Sequence, residues 1–358
     1  MAQNGFKKTL RKIRRPFEWT GIYLSFLIIP CLTREGCRRL ASFGANIGML
    51  FCVRDKAVAR ANLKVIYGHR LTPYREKTII YHCFRNMTAV LVDLFWTSRN
   101  SRQRLEQLTV VDPAVIALVK ESMPSINISA HIGNWEMLSQ TCVLNGVPMM
   151  TVMQGIGSSA MTERLSQTRS VIGQKIVPNK GALRHLIYAL RHGSSLGLLV
   201  DQHTSVRQGG AWLTFFGLSV DVSIGPATLS RKLKVPILVA WSRPLKNGCY
   251  RVELIKKFDS DPEVDDITRT QEIITLFETV IRRHPAFWCL NYRRWRGIPV
   301  GDDPARYPYY ARSELPCKRK NALSGDDLRS AGTTPQLPST SSNEALIKAP
   351  LIIDNRGI

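Results

Sequence analysis

The stretch Ser125-Ile-Asn-Ile-Ser-Ala-His131-Ile-Gly-Asn-Trp-Glu136 decides the fold. Residues 126–130 have the composition of a short β-strand, and residues 135–144 have that of a helix. Gly133 permits a sharp bend between them because glycine adopts backbone angles that other residues avoid. Asn134 is predicted to cap the helix, since asparagine is a preferred N-cap residue. The stretch therefore predicts a strand, a turn and a helix, with His131 at the end of the strand.

His131 and Glu136 are predicted to form a catalytic pair. On one continuous helix, residues five apart would not share a face. They can meet if His131 ends the strand and Glu136 lies in the first helical turn. A carboxylate that holds one imidazole nitrogen leaves the other as a base near neutral pH, which suits activation of a hydroxyl. The alternative is that His131 is a structural residue.

The chain from about residue 110 alternates strand and helix patterns, which predicts an α/β fold with a mixed, mainly parallel sheet flanked by helices. Asp201 follows one buried strand and His131 another, so both are expected at the same rim of the sheet, where ligands bind. Two further helices are predicted before the sheet, at residues 56–67 and 74–96. Predicted strands are 126–130, 147–153, 175–177, 196–200, 235–241 and 250–255, and predicted helices are 135–144, 158–172, 181–191, 223–233 and 268–283.

The composition points to an anionic partner. The 358 residues carry 50 Lys and Arg against 27 Asp and Glu, a net charge of +23. Such a balance suits nucleic acid or an anionic lipid surface. No nucleic-acid-binding signature is present, so a lipid surface is favoured. The eight cysteines form no C-x-x-C pair, and no H-E-x-x-H, Walker or G-x-S-x-G motif occurs. No metal or nucleotide cofactor is therefore expected.

The ends of the chain differ from its middle. Within residues 1–55, basic residues flank two apolar runs of about 14 residues each, Trp19–Leu32 and Leu40–Val53. A bilayer span needs about 20 residues, so membrane-associated interfacial helices are predicted. A spanning first run and a helix buried in the globule are the alternatives. Residues 56–311 are predicted to form the functional domain, and the Ser/Thr/Pro-rich tail 312–358 to be disordered.

Other polar groups are candidates for substrate binding. Asp201-Gln202 ends a buried strand, and Gly225 opens a predicted helix whose amino terminus could hold an anion or an oxyanion. Arg169, on the predicted helix 158–172, could bind phosphate in bidentate fashion. Each has a structural alternative, as turn, core or solvated residue. The segment 284–296 mixes cations and aromatic rings, which suits a lipid-headgroup surface.

Seven short sequence boxes are spaced along the chain: Arg60-Ala-Asn62-Leu63, His131 to Glu136, Arg169 with Gly173, Asp201-Gln202, Phe215-Phe-Gly217, Gly225-Pro-Ala-Thr228 and His284-Pro to Trp295. By their order and spacing, the chain resembles the lipid A biosynthesis lauroyl/myristoyl acyltransferases, the late acyltransferases of Gram-negative bacteria. The resemblance runs from about residue 20 to residue 298. Two features depart from the family pattern: Cys289-Leu-Asn-Tyr292 replaces a tryptophan–histidine pair, and the tail after residue 312 is additional.

The resemblance implies a glycerol-phosphate-acyltransferase-like fold and transfer of a fatty acyl chain from acyl carrier protein to a hydroxyl of a lipid A precursor. It implies His131 as general base, Glu136 as the residue that orients it, and Asn134, Arg169, Asp201, Gln202 and Gly225 as substrate-binding residues. It also implies a location on the cytoplasmic face of the bacterial inner membrane. Another acceptor, such as a phosphatidylinositol mannoside or a phospholipid, is the first alternative, and a non-catalytic membrane-binding protein is the second.

Overall fold

The strands of the protein form one large sheet with two small additions. The computed structural model describes residues 20–153, 166–167, 169–170, 172–179 and 181–313. Seven strands pair in the order β1-β9-β8-β2-β5-β3-β4. Strands β8, β2, β5, β3 and β4 run parallel to one another, whereas β9 is antiparallel to β8 and β1 is parallel to β9. The predicted mixed, mainly parallel sheet is thus confirmed. The strands are β1 Thr109–Val111, β2 Ile126–Ser129, β3 Met149–Met153, β4 Lys175–Pro178, β5 Ser195–Leu199, β6 Gly210–Phe215, β7 Leu218–Ser223, β8 Ile237–Pro244, β9 Tyr250–Phe258, β10 Gly297–Ile298 and β11 Arg312–Ser313.

Helices precede the sheet and then alternate with its strands. The long helix α4 begins where Thr72 accepts a hydrogen bond from the Arg75 backbone N–H and Pro73 takes the first helical position. The helices are α1, residues 20–28, followed by α2 Arg34–Phe51, α3 Val53–Tyr67, α4 Pro73–Trp96, α5 Ser101–Leu108, α6 Pro113–Glu121, α7 Trp135–Leu144, α8 Ala182–Arg191, α9 Gly225–Leu233 and α10 Asp266–Arg283.

Helices cover both faces of the large sheet. Because side chains alternate along a strand, Ile126 and Ile128 of β2 point to one face, where they join a core with residues of α8, α9 and α10. Met149 of β3 and Leu238 of β8 point to the other face and pack with α6 and α7. The core is therefore two-sided, as expected for a mainly parallel sheet.

The amino-terminal helices pack on the domain and also expose apolar side chains. Phe26 of α1 meets Phe95 of α4 edge-on at 4.8 Å, and the small residues Ala41 and Ala45 of α2 are buried. Other apolar residues of the two helices are exposed: Tyr23, Leu24, Leu27, Ile28, Phe43, Ile47, Leu50 and Phe51. Among the described residues, no helix has both the length and the hydropathy needed to cross a bilayer. The predicted basic segment before residue 16 lies outside the described residues.

Several predicted elements agree with the structure, and others were missed. The predicted helices at 74–96 and 135–144 are present within one residue. Of the predicted helix 158–172, residues 166, 167, 169 and 170 are helical, Ile172 lies in a turn, and the others lie outside the described residues. Helices α5 and α6, strand β1 and the antiparallel pairing of β6 with β7 were not predicted from the sequence. The predicted domain boundaries stay a prediction, and residues 314–358 lie outside the described residues.

The segment 284–296 is divided between the core and the surface. Trp288, Arg294 and Trp295 are all almost completely buried, whereas Arg293 and Arg296 are exposed. Trp288 and Trp295 pack around Phe215, with ring centroids 5.9 Å from it in each case. These two tryptophan rings therefore belong to the core, and the lipid-headgroup surface stays a prediction for the exposed arginines alone.

His82 of α4 gives the fold a defined sensitivity to acid. Burial, together with the nearby Arg85 cation, lowers the pKa of His82 from 6.5 to about 4. The unfolded chain takes up this proton near pH 6.5, whereas the folded protein takes it up only near pH 4. The contribution of His82 to the free energy of unfolding is thus constant above pH 6.5. It falls as the pH decreases from 6.5 to 4, because the unfolded chain binds the proton first.

In urea denaturation, we expect His82→Asn to lose less stability than wild type between pH 7 and pH 4. His185→Asn, on the exposed surface of α8, is the control, and parallel profiles for wild type and His82→Asn would contradict the assignment.

Candidate active site

His131 stands at the rim of the sheet, on a turn that begins where β2 ends. Gly133 has a φ of +65°, and the turn delivers the chain into α7. The His131 ring lines a large cavity and lies 5.0 Å, centroid to centroid, from the ring of Trp135. The predicted strand, bend and helix, with Asn134 as N-cap, are all confirmed.

Asp201 is the carboxylate that holds His131. Its Oδ1 lies 2.7 Å from Nδ1 of His131, and its Oδ2 accepts hydrogen bonds from the His131 backbone N–H at 3.0 Å and from Nε1 of Trp288 at 2.9 Å. Burial would raise the pKa of Asp201, but His131 and the hydrogen bonds from His131 and Trp288 outweigh burial and hold that pKa below its ordinary value. A carboxylate at Nδ1 fixes the tautomer, so Nε2 is the nitrogen available as a base.

The predicted pairing of Glu136 with His131 is wrong. Because β2 and β5 are parallel neighbours with Ser129 opposite Leu199, residues two positions beyond each strand end meet. This register places Asp201 beside His131. The sequence placed His131 and Asp201 on one rim but gave no register. Asp201, predicted to bind substrate, is almost fully buried and instead positions the imidazole.

Glu136 pairs with Arg169 at the cavity wall. Nε of Arg169 donates to Oε2 of Glu136 at 2.7 Å, and Nη2 donates to Oε1 at 2.5 Å. Both side chains are mostly buried, at 14% and 12% exposure. A bidentate, largely desolvated pair is geometrically rigid. It therefore shapes the cavity wall next to His131, and the two residues remain predicted site residues.

Asn134 supports the turn from behind and does not reach the cavity. Its Oδ1 accepts from the Met137 backbone N–H at 3.3 Å, and its Nδ2 donates to Oδ2 of Asp93 at 3.2 Å. Asp93 also pairs with Arg34 and accepts the hydroxyl of Tyr250. Asn134 is fully buried and both ends of its amide are engaged. We therefore correct its predicted substrate-binding role to a structural one.

The cavity beside His131 has a volume of about 1100 Å³, near the upper limit of about 300–1,000 Å³ usual for ligand sites. One wall is apolar and comes from α6, α7, β8 and β9. Polar side chains of β3, α7 and α9 and of the rim also line the cavity. The apolar wall consists of Val115, Ile116, Val119, Leu138, Leu238, Ala240, Val252 and Leu254. The cavity can thus hold a long apolar chain together with a polar group.

Two other predicted residues line this cavity. Nε2 of Gln202 lies 3.2 Å from Nε2 of His131 and donates to it in the tautomer set by Asp201. Gly225 begins α9, whose N-cap residue Ile224 makes no side-chain capping bond. Among the described residues, no three His, Cys, Asp or Glu side chains gather closely enough to hold a metal ion.

A second imidazole on the cavity wall is held in the same manner. Nδ1 of His203 lies 2.6 Å from Oδ1 of the buried Asp221, and the His203 backbone N–H donates to the Tyr292 hydroxyl at 3.1 Å. The position of His203, two residues beyond Asp201 at the end of a buried strand, is the sequence signal for this second imidazole. Its partner Asp221 lies on the β6–β7 hairpin, which was not predicted.

Gly133 is expected to tolerate no side chain. A Cβ there would lie 1.9 Å from the backbone oxygen of Ser242, and the positive φ adds strain. We expect Gly133→Ala to reduce the free energy of unfolding by about 3 kcal/mol, the sum of an overpacking and a backbone term. Gly193→Ala is the control, because Gly193 also has a positive φ but open space around it. Equal losses in urea denaturation for the two variants would show that the contact with Ser242 is not what fixes the turn.

The family comparison covers the part of the chain that holds this site. The model of the bacterial lipid A biosynthesis acyltransferases matches residues 3–297, more than three quarters of the chain. A search of curated proteins returned no significant match. The matched range contains the whole large sheet, His131, Asp201 and the wall residues Glu136 and Arg169. The chain therefore belongs to the bacterial lipid A biosynthesis acyltransferase family.

Proposed function

We propose that this acyltransferase transfers a fatty acyl chain from acyl carrier protein to a hydroxyl of a lipid A precursor, at the cytoplasmic face of the bacterial inner membrane. The observation that carries the mechanism is the His131 imidazole, with Nδ1 held by Asp201 and Nε2 facing a cavity of about 1100 Å³. Such an imidazole is suited to act as a general base toward a hydroxyl.

The reaction needs a single base. Nε2 of His131 takes the proton of the acceptor hydroxyl as its oxygen attacks the thioester carbonyl carbon. The carbon–sulfur bond then breaks, and the imidazolium returns the proton to the leaving thiolate, so that the products are an ester and a free thiol. Asp201 stabilises the transient imidazolium through Nδ1–H.

Gln202 occupies the position from which the acceptor must approach. Its amide donates to Nε2 of His131, the atom that the acceptor hydroxyl needs. The amide therefore has to leave Nε2 when the acceptor binds. A displacement that keeps the amide next to the turn places its N–H group beside the reacting carbonyl, where it donates to the oxyanion, a type of contact that contributes strongly to acyl transfer.

The apolar wall of the cavity suits the acyl chain, and its polar rim suits the acceptor. The acyl chain lies against the apolar wall from α6, α7, β8 and β9, because burying its methylene groups stabilises binding by about 0.8 kcal/mol each. Gly197 of β5 also lines the cavity, and a Cβ there would meet Thr151 Cγ2 at 2.9 Å. The polar acceptor lies nearer the rim, beside Gln202 and Gly225.

The exposed apolar side chains of α1 and α2 support membrane association. Leu24, Leu27 and Ile28 share one face of α1, and Phe43, Ile47 and Leu50 share one face of α2, since each set is spaced three and four residues apart. Leu91 of α4 is exposed and also lines the cavity. An interfacial position would therefore bring a lipid acceptor to the cavity mouth. The net charge of +23 favours both an anionic membrane and an acidic carrier protein.

Another glycolipid or a phospholipid is the second candidate acceptor. The segment Cys289 to Tyr292 departs from the family pattern, and this departure favours a second acceptor as an alternative. The departure lies beside the cavity, because the Tyr292 hydroxyl accepts a hydrogen bond from the backbone N–H of His203 on the cavity wall. The same mechanism would apply with a different hydroxyl.

The first experiment is an acyl-transfer assay with purified wild type and His131→Ala. Lauroyl- and myristoyl-loaded carrier protein are offered with a Kdo-bearing lipid A precursor, and mass spectrometry follows the acceptor. We expect wild type to add one acyl chain and His131→Ala to be about 10²- to 10⁴-fold slower, the usual contribution of a general base. His185→Ala is the matched control on the surface of α8. Transfer only to a phospholipid or mannolipid would establish the second candidate, and transfer by His131→Ala at the wild-type rate would refute the mechanism.

Two carboxylate variants separate Asp201 from Glu136. In Asp201→Asn, the amide cannot favour the Nδ1–H tautomer or stabilise the imidazolium, so we expect kcat/KM to fall by about 10²- to 10⁴-fold. Glu136→Gln removes the ion pair with Arg169 but leaves the partner of His131 in place, and we expect a fall of at most about ten-fold, or about 1.4 kcal/mol. Initial rates and circular dichroism check both. An equal fall of kcat/KM in the two variants would support the sequence prediction that Glu136 orients His131.

A further inference from the structure

A second, smaller cavity lies behind the catalytic turn. It has a volume of about 180 Å³ and is formed by α2, α4 and the connection between β8 and β9. We call it the basic pocket, after the side chains of Arg34, Arg38, His82, Arg85 and Lys246 that line it. Asp93 is the single acidic residue among the described side chains of its wall.

The basic pocket holds more positive charge than its own acid can balance. Asp93 is already paired with Arg34. Arg38 reaches only the exposed Glu35, at 3.3 Å, and Nε of Arg85 donates to the Ser42 hydroxyl at 3.1 Å. Within the described part of the chain, neither Arg85 nor Lys246 forms an ion pair. Two cations without an ion-pair partner, Arg85 and the exposed Lys246, therefore line one small cavity together with Arg38, and their mutual repulsion is relieved when an anion binds.

The floor of the basic pocket is formed by buried polar side chains. Asn86 and Tyr250 are buried, at 7% and 3% exposure, and both line the cavity. Asn86 donates through Nδ2 to the backbone oxygens of Gly133, at 3.0 Å, and Phe287, at 3.2 Å. The floor of the basic pocket thus contacts the turn that carries His131. The basic pocket and the acyl-transfer cavity therefore lie on opposite sides of this turn.

The state of His82 is consistent with a positive potential in this pocket. Burial and the Arg85 cation lower its pKa to about 4. His82 is therefore neutral at physiological pH, and a bound anion would oppose the effect of Arg85. This makes the imidazole a reporter of occupancy that does not depend on enzymatic activity.

We propose that the basic pocket is a binding site for a phosphate group, separate from the acyl-transfer cavity. A phosphate presents three acceptor oxygens and up to two negative charges, so it can accept from two guanidinium groups and one ammonium at once and balances more positive charge than one carboxylate. The recess is too small for an extended acidic helix, so a carrier protein fits less well than a single phosphate. The proposal does not depend on the acyl-transfer mechanism.

The phosphate has two possible sources, a phospholipid headgroup and a soluble phosphate compound. Arg34 and Arg38 lie on the side of α2 that faces the pocket, whereas Phe43 and Ile47 are exposed on its opposite side. One helix therefore carries both the apolar surface and part of the phosphate site. The experiment must separate the two sources.

The test compares the full-length double variant Arg85→Gln/Lys246→Gln with wild type. Arg75→Gln/Lys77→Gln is the matched control, because it removes two exposed cations from the first turns of α4 with the same change in net charge. Calorimetry at low salt measures binding of inorganic phosphate and glycerol 1-phosphate. Flotation measures binding to phosphatidylcholine vesicles with and without phosphatidic acid. NMR of ¹³C-labelled histidine follows His82, with its signal assigned from His82→Asn.

We expect phosphate to shift the His82 signal in wild type and control, and the Arg85→Gln/Lys246→Gln variant to bind phosphate about ten-fold or more weakly. Binding of the soluble probes would identify a soluble ligand, whereas a difference confined to phosphatidic acid vesicles would identify a lipid headgroup. Equal binding of every probe by the variant and the control would overturn the proposal. These outcomes can be read even if no acyl transfer is found.

Discussion

The hydrogen bonds around the Asp201 carboxylate hold the site together. This carboxylate fixes the ring of His131, the backbone of the turn and the indole of Trp288 at the same time. It can do so because β2 and β5 are hydrogen-bonded parallel neighbours, so that both strands end at one rim. Burial of Trp288 in turn depends on the core formed with Phe215 and Trp295. The chemistry at His131 thus depends on strand register and on packing well away from the imidazole.

The catalytic turn is also held from the side of the amino-terminal helices. Asp93 of α4 joins Arg34 of α2 to Asn134 at the start of α7. Burial raises the pKa of Asp93, although Arg34 acts in the opposite direction. A buried carboxylate in such a network is costly to leave unpaired, so removing one partner should disturb the others. The helices that carry the exposed apolar residues are therefore structurally coupled to the turn that carries His131.

Local patterns predicted most of this fold, and long-range pairing accounts for the errors. Residues 126–136 predict the strand, the glycine turn and the N-cap because each depends on a few adjacent residues. The partner of His131 depends on the register of β2 against β5, which no local pattern encodes. Asn134 lies in the motif that contains His131 and was therefore predicted to bind substrate. Its amide instead donates a hydrogen bond to Asp93, 41 positions earlier in the sequence. The tryptophans of the segment 284–296 were predicted to face lipid for the same reason. They pack against Phe215 of the β6–β7 hairpin, which was not predicted from the sequence.

The two imidazoles of the cavity wall share one buried cation. Arg294 is completely buried and donates through Nη1 to the backbone oxygen of Asp221 at 3.3 Å. Burial lowers the pKa of Arg294, and the charges of Asp201 and Asp221 act against that effect. One guanidinium thus helps to balance the carboxylates that hold His131 and His203.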